Sequence, residues 1–267
     1  MKAKDEEKIG GATIRWRPHG SGFRGIVLRG GVSSEPMEDD DSDRLRTRLR
    51  NEAGKLHPNY FGYAGAIERF LSFFPGGFSD PRYIEQERHY KEQAKAKLNS
   101  GCSLDAIERG DFDIECARSS CSTNLMSVFE TTRLREVLAS SNGQGFLEAA
   151  AQFANGYITQ GLKGMVRAIT PHGRPSWPMI TYQPSLWRCD GHLFLKPEKT
   201  VDFAERVGHP FAFTYEANLD EVVYTSLLDL GRDVRAHVGA LKPKDGIDIQ
   251  SFIWVVGGYT DVDLPLT

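Results

Sequence analysis

The chain has 267 residues, with 33 Lys and Arg against 36 Asp and Glu, which gives a formal net charge of -3 at pH 7. A protein that holds nucleic acid over its whole surface needs a large positive charge, so this balance excludes that class while leaving a local basic patch open. Hydrophobic residues make up 40% of the chain, enough for a globular core. No apolar run reaches the roughly 20 residues that a membrane span requires, so no membrane partner is expected.

The N-terminal segment and the cysteines of the chain indicate a cytoplasmic protein. The N-terminus, MKAKDEEKIGG, is charged and lacks the apolar segment of a secretory signal. The cysteines are too few and too scattered for a disulfide framework, so we expect free thiols in a reducing compartment. They are Cys102, Cys116, Cys121 and Cys189.

Residues 1–33 are predicted to form an N-terminal β-hairpin region. Short strands are expected around Ile14–Trp16 and Gly25–Leu28, joined by a turn rich in Gly and Ser. An acidic linker with little apolar content, SEPMEDDDSD, follows over residues 34–43 and is expected to be mobile.

Residues 44–170 are predicted to be mainly helical. Leu45 and Leu49 lie one helical turn apart, after a cap at Ser42 or Asp43. Asp80 and Pro81 form a typical start signal for a long helix to Leu98, most of whose circumference is expected to face solvent. An uncertain strand is expected at FDIECA, and further helices are predicted at 67–74, in SLDAIER, and at 128–138, 146–155 and 161–169.

Residues 171–267 are predicted to form an α+β region packed with the helical region as one unit. PMITYQP and IDIQSFIWVV have the composition of strands, and Asp190-Gly191 predicts a hairpin turn within SLWRCDGHLFL. Helices are expected from Thr200 to Val207, ended by Gly208, and through EVVYTSLLDLGRDVRAHVGAL. The predicted fold class is therefore α+β, with a helical centre and small β-hairpin elements near the N-terminus and in the C-terminal third.

Clusters of cations and aromatic rings are the main functional signal. Arg and Lys neutralise phosphates, and loop aromatics stack on exposed bases. Trp16 and Phe23 lie beside the arginines of the hairpin, and a second group surrounds the predicted C-terminal hairpin. The leading hypothesis is a non-catalytic protein that binds DNA or RNA, or serves as an accessory or recognition subunit. Its predicted contact residues are Arg15, Arg17, Arg24, Arg44, Arg46, Arg48, Arg50, Tyr60, Tyr63, Arg188, His192 and Lys196.

Two alternatives belong to other functional classes. Asp111, Asp113 and Glu115 alternate, and on a strand they would share one face that could hold Mg²⁺ for an enzyme acting on a phosphate-containing substrate. In that enzyme His192 could instead supply acid–base chemistry. The chain carries no complete catalytic signature, and we expect a solvated acidic segment, no cofactor and no resident metal. The second alternative is a protein-interaction subunit whose exposed rings and arginines contact a partner protein.

Overall fold

The computed structural model describes residues 5–9 and 11–264, and they form a mixed α+β fold that is mainly helical. This confirms the predicted fold class. The outermost residues of the predicted regions 1–33 and 171–267, together with Gly10, lie outside the described residues.

The described strands form one antiparallel sheet in the N-terminal region. They are β1 (Asp5–Ile9), β2 (Ala12–His19), β3 (Gly22–Arg29), β4 (Val32–Ser33) and β5 (Met37–Asp39). The order is β1-β2-β3-β4, and β5 also pairs with β3. The predicted hairpin is the β2–β3 pair. Strand β5 comes from the stretch predicted as a linker, so part of that acidic segment is fixed in the sheet.

One face of the sheet is covered by helix α1 (Ser42–Lys55), which Asp41 caps by accepting hydrogen bonds from two backbone N–H groups. Leu45 and Leu49 lie on the buried side of α1, as their spacing predicts. They pack with Ile14 and Val27 of the sheet in a small core, separate from the main one. The sheet and α1 together are therefore a two-layer unit with one uncovered sheet face.

The remaining helices build the main core. They are α2 (Gly62–Phe73), α3 (Pro81–Tyr83), α4 (His89–Asn99), α5 (Leu104–Arg109), α6 (Ile114–Ser120), α7 (Val128–Ala139), α8 (Gly143–Ala154), α9 (Ile158–Ile169), α10 (Trp177–Trp187), α11 (Pro197–Val207), α12 (Phe211–Thr214), α13 (Glu221–His237) and α14 (Gly246–Gly258). A π-helical turn, Ile84–Arg88, joins α3 to α4, so the helix predicted after Asp80 runs to Asn99. Gly208 ends α11 in the left-handed conformation, as predicted.

The strands predicted in the C-terminal third are wrong. PMITYQP lies in α10 and IDIQSFIWVV lies in α14, while Asp190-Gly191 forms a turn followed by irregular chain. Both helices are buried on nearly all sides. They therefore lack the polar face that marks an amphipathic helix, and their β-branched and aromatic residues favour a strand assignment.

Along the described ranges 5–9 and 11–264, no helix combines the length and the apolar character needed to cross a membrane.

Candidate nucleic-acid interface

Three of the predicted contact residues lie together on the uncovered face of the sheet. In the strand register, Arg15 pairs with Glu6 and Ile26, while Arg17 pairs with Arg24. Paired residues on neighbouring strands share a face, and positions two apart along a strand share it as well. Arg15, Arg17 and Arg24 therefore project from the side of the sheet opposite α1.

The charge on this outer sheet face is mainly positive. Arg15 is held by Glu6 at 2.7 Å, and Arg24 lies 3.5 Å from Glu38. Arg17 is exposed and forms no ion pair with any described residue. Directly opposite charges of like sign destabilise a strand pair. The placement of Arg17 opposite Arg24 therefore lowers the stability of the sheet when no anion is bound.

The four arginines of α1 lie on a different surface and are neutralised. Arg44 pairs with Asp39 and Asp40, and Arg48 pairs with Asp39 at 3.3 Å. The other two contact Glu7, Arg46 at 3.3 Å and Arg50 at 2.8 Å. The backbone N–H of Asp41, together with Arg44, holds the pKa of Asp39 well below its usual range. Each of these four arginines has a carboxylate partner, whereas Arg17 of the outer sheet face has none among the described residues, so Arg17 is the stronger candidate for phosphate contact.

The aromatic residues do not form a stacking platform beside the outer-face arginines. Trp16 lies on the α1 side of the sheet, with the Arg46 guanidinium 5.0 Å from its ring centroid. Phe23 packs against the same small core. Tyr63 is on α2 and stacks on His237 at 3.8 Å, and burial raises the pKa of its hydroxyl. Tyr60 is more exposed than these three rings, at 36%.

The three predicted contact residues of the C-terminal third belong to the helical body. His192 is buried, with Nδ1 2.8 Å from the Tyr224 hydroxyl and Nε2 3.0 Å from the carbonyl oxygen of Ala154. Because a carbonyl only accepts, Nε2 carries the proton, and Nδ1 accepts from Tyr224. Arg188 bonds Asn155, and Lys196 bonds the Leu125 carbonyl. His192 is thus a buried residue whose two ring nitrogens both have hydrogen-bond partners within the protein.

The carboxylates considered for a metal do not share a strand face. Asp113 caps α6 by accepting from the backbone N–H of Glu115, and Glu115 pairs with Arg118 at 2.6 Å. The predicted strand at FDIECA is therefore wrong, because its last four residues, from Ile114, lie in α6. Within the described part of the chain, no three His, Cys, Asp or Glu side chains come together as a metal site would require. The cysteines are free, and three of them are buried.

A buried network of charges lies in the helical body at the π-helical turn. Arg88 binds Asp248 at 2.6 Å and Asp245 at 2.7 Å, and the Tyr83 hydroxyl donates to Asp248 at 2.6 Å. Burial disfavours the charged guanidinium, but its hydrogen bonds to Asp245 and Asp248 raise the pKa of Arg88 overall. The Arg88 side chain is only 7% exposed.

A second buried pair lies one turn further along the same helix. Lys91 donates to Glu87 at 2.9 Å and to Ser251 at 2.7 Å, while the Tyr259 hydroxyl donates to the other oxygen of Glu87. Burial lowers the pKa of Lys91, and Glu87 opposes that effect. Both sets of charges are paired internally, so they fasten α14 to the long helix.

This network could not be predicted from the sequence, because the composition of the long helix indicates that most of its surface faces solvent. The i, i+4 spacing of Glu87 and Lys91 was visible, but it is equally typical of an exposed pair. Asp245 and Asp248, which bind Arg88, lie at the start of α14, and the composition of that segment is typical of a strand.

The fold offers two candidate surfaces for function, the uncovered outer face of the sheet and an open groove on the helical body. The outer sheet face combines Arg15, Arg17 and Arg24, and it includes an exposed arginine, Arg17, with no ion-pair partner among the described residues. Comparison of the chain with protein-family models, with curated proteins and with solved structures gives no match.

Proposed function

We propose that the protein binds nucleic acid through its phosphate backbone, using the outer face of the N-terminal sheet. The observation that carries the proposal is the Arg17–Arg24 pair, two cations placed opposite each other on an uncovered surface. A bound phosphate between them converts a repulsive arrangement into two charge-assisted hydrogen bonds.

The kind of contact follows from what the outer sheet face contains. It carries three arginines, which bind phosphate oxygens in a bidentate manner, together with Lys8, and the rings of Trp16 and Phe23 lie on the other side of the sheet. Phosphate contacts position a protein without reading sequence, whereas base edges or stacking supply specificity. The proposed binding is therefore largely independent of sequence, and it needs no catalytic group.

The unpaired cysteines support the cytoplasm as the compartment for this function, because free thiols persist under reducing conditions.

The test is fluorescence anisotropy with a labelled duplex of random sequence, titrated with protein at several salt concentrations. Three arginine–phosphate contacts predict a slope of about -2.7 for log affinity against log salt. The triple variant Arg15→Ala/Arg17→Ala/Arg24→Ala should lose most of the binding and most of the slope.

The matched control is Arg44→Ala/Arg48→Ala, which removes arginines already paired with Asp39. It should bind nearly as the wild type does. No binding at low salt, or equal loss in the control and the triple variant, would contradict the proposal.

A further inference from the structure

An open groove of about 1230 Å³ runs between α9 and α13 in the helical body. Its apolar lining comes from both walls, with Leu162 and Val166 on α9 and Leu219 and Val222 at the start of α13. Val222 is 65% exposed, so the start of α13 presents apolar surface to a ligand in the groove.

The acidic residues of the groove are already satisfied. Asp220 caps α13 by accepting from the backbone N–H of Val222 at 2.7 Å. Glu221 accepts a hydrogen bond from the Thr159 hydroxyl, and Asp229 pairs with Arg232 at 2.8 Å. All three carboxylates of the α13 wall therefore already have a polar partner within the protein.

The cations of the α9 wall, in contrast, have no carboxylate partner among the described residues. Lys163 and Arg167 are exposed, line the groove and form no ion pair with any described residue. They lie four positions apart on one helix, where like charges repel. A ligand with negative charge along one edge would remove that repulsion.

We propose that the groove binds an amphipathic helix of a partner protein, with aliphatic side chains on one face and carboxylates along one edge. The aliphatic face would cover Val166 and Val222, and the carboxylates would pair with Lys163 and Arg167. This is the helix-in-groove mode of recognition.

The dimensions fit such an occupant. A helix about 10 Å in diameter and about 16 Å long, roughly three turns, fills about 1250 Å³. Pockets for small molecules are usually smaller, at about 300–1000 Å³, and more enclosed. A phosphate backbone would leave the apolar residues of both walls uncovered, so the groove and the outer sheet face are expected to serve different partners.

The test uses two fluorescein-labelled peptides of about 14 residues, helical by design, with leucines on one face. One has glutamates along the edge and the other has lysines at the same positions. The wild-type protein should bind the glutamate peptide saturably and more tightly than the lysine peptide.

Charge reversal makes the test specific for the α9 wall. Lys163→Glu/Arg167→Glu should weaken binding of the glutamate peptide by about tenfold and strengthen binding of the lysine peptide. Val222→Asp should weaken both peptides. Lys97→Glu, an exposed change on α4, should alter neither, and circular dichroism should show all variants folded.

Several outcomes would overturn the proposal. They are an absence of saturable binding by the glutamate peptide, equal binding of the two peptides, and insensitivity to the groove substitutions. Displacement of the peptide by an oligonucleotide would assign the groove to nucleic acid instead. A wild-type dimer that dissociates in Lys163→Glu/Arg167→Glu would assign it to a second copy of the chain.

Discussion

Arg17 of β2 and Arg24 of β3 are direct cross-strand partners on the outer face of the sheet. Opposed like charges destabilise a strand pair by about 0.2–1 kcal/mol. Arg17→Thr should therefore increase the free energy of unfolding by a similar amount, while reducing the salt slope of oligonucleotide binding by about 1. Urea unfolding and salt-dependent anisotropy measure the two effects on the same variant.

Arg15→Thr is the matched control for the charge repulsion between Arg17 and Arg24. Arg15 forms an ion pair with Glu6 at 2.7 Å, so its loss gives no relief of repulsion. It should weaken oligonucleotide binding without stabilising the protein. If Arg17→Thr lowers stability, or leaves binding unchanged, the unfavourable pair has no functional explanation of the kind proposed.

The buried charge network predicts a large loss of stability when one member is removed. Arg88→Leu leaves the buried Asp248 and the partly buried Asp245 without their shared cation. Removing one partner of a buried pair typically lowers the free energy of unfolding by about 3–5 kcal/mol. Lys97→Leu, an exposed change on α4, should have an effect within about 0.5 kcal/mol. Comparable effects of the two variants in urea unfolding would show that Arg88 is not structurally important.

Two glycines of the α8–α9 hairpin should respond to alanine in opposite directions. A Cβ at Gly161 would lie 2.6 Å from the carbonyl oxygen of Ala149 and from the Cβ of Phe153, whereas a Cβ at Gly145 meets nothing within 4 Å. Gly161→Ala should therefore force the helices apart and destabilise by about 1–3 kcal/mol.

Gly145→Ala lies in a helical segment with open space around it and should stabilise by about 0.5–1 kcal/mol. Thermal unfolding of both variants tests the close contact of α8 with α9. Equal shifts of the melting temperature in the same direction would contradict it.

What could be predicted from the sequence is what local spacing determines. Leu45 and Leu49 identify the buried side of α1, Asp80-Pro81 starts the long helix, and the alternation of Arg15 and Arg17 places both on one sheet face. These signals depend on residues within a few positions of each other, where backbone geometry alone fixes the relationship.

The parts that were missed depend on partners far apart in the chain. Asp248 is 160 residues from Arg88, and nothing near either residue shows that they meet. The pairing of Arg44 and Arg48 with Asp39 depends on the position of β5 in the sheet, which no local pattern predicts. Helices α10 and α14 were assigned as strands because complete burial removes the polar face from the pattern.

His192 gives the protein a defined dependence of stability on pH. Burial lowers the pKa of its imidazole, which sits between Tyr224 and the carbonyl of Ala154. As the pH falls below about 6.5, the histidine of the unfolded chain binds a proton that the folded protein does not, so the free energy of unfolding decreases. Between pH 7.5 and 5 this one group contributes a loss of at most about 2 kcal/mol.

His192→Gln isolates this contribution, because an amide also offers one acceptor and a donor for the same two partners but does not titrate in this range. Its free energy of unfolding should change less between pH 7.5 and 5 than that of the wild type. Part of the dependence should remain, because burial also lowers the pKa of His209. A His192→Gln profile parallel to that of the wild type would show that His192 is protonated alike in the folded and unfolded states, contrary to its buried hydrogen bonds.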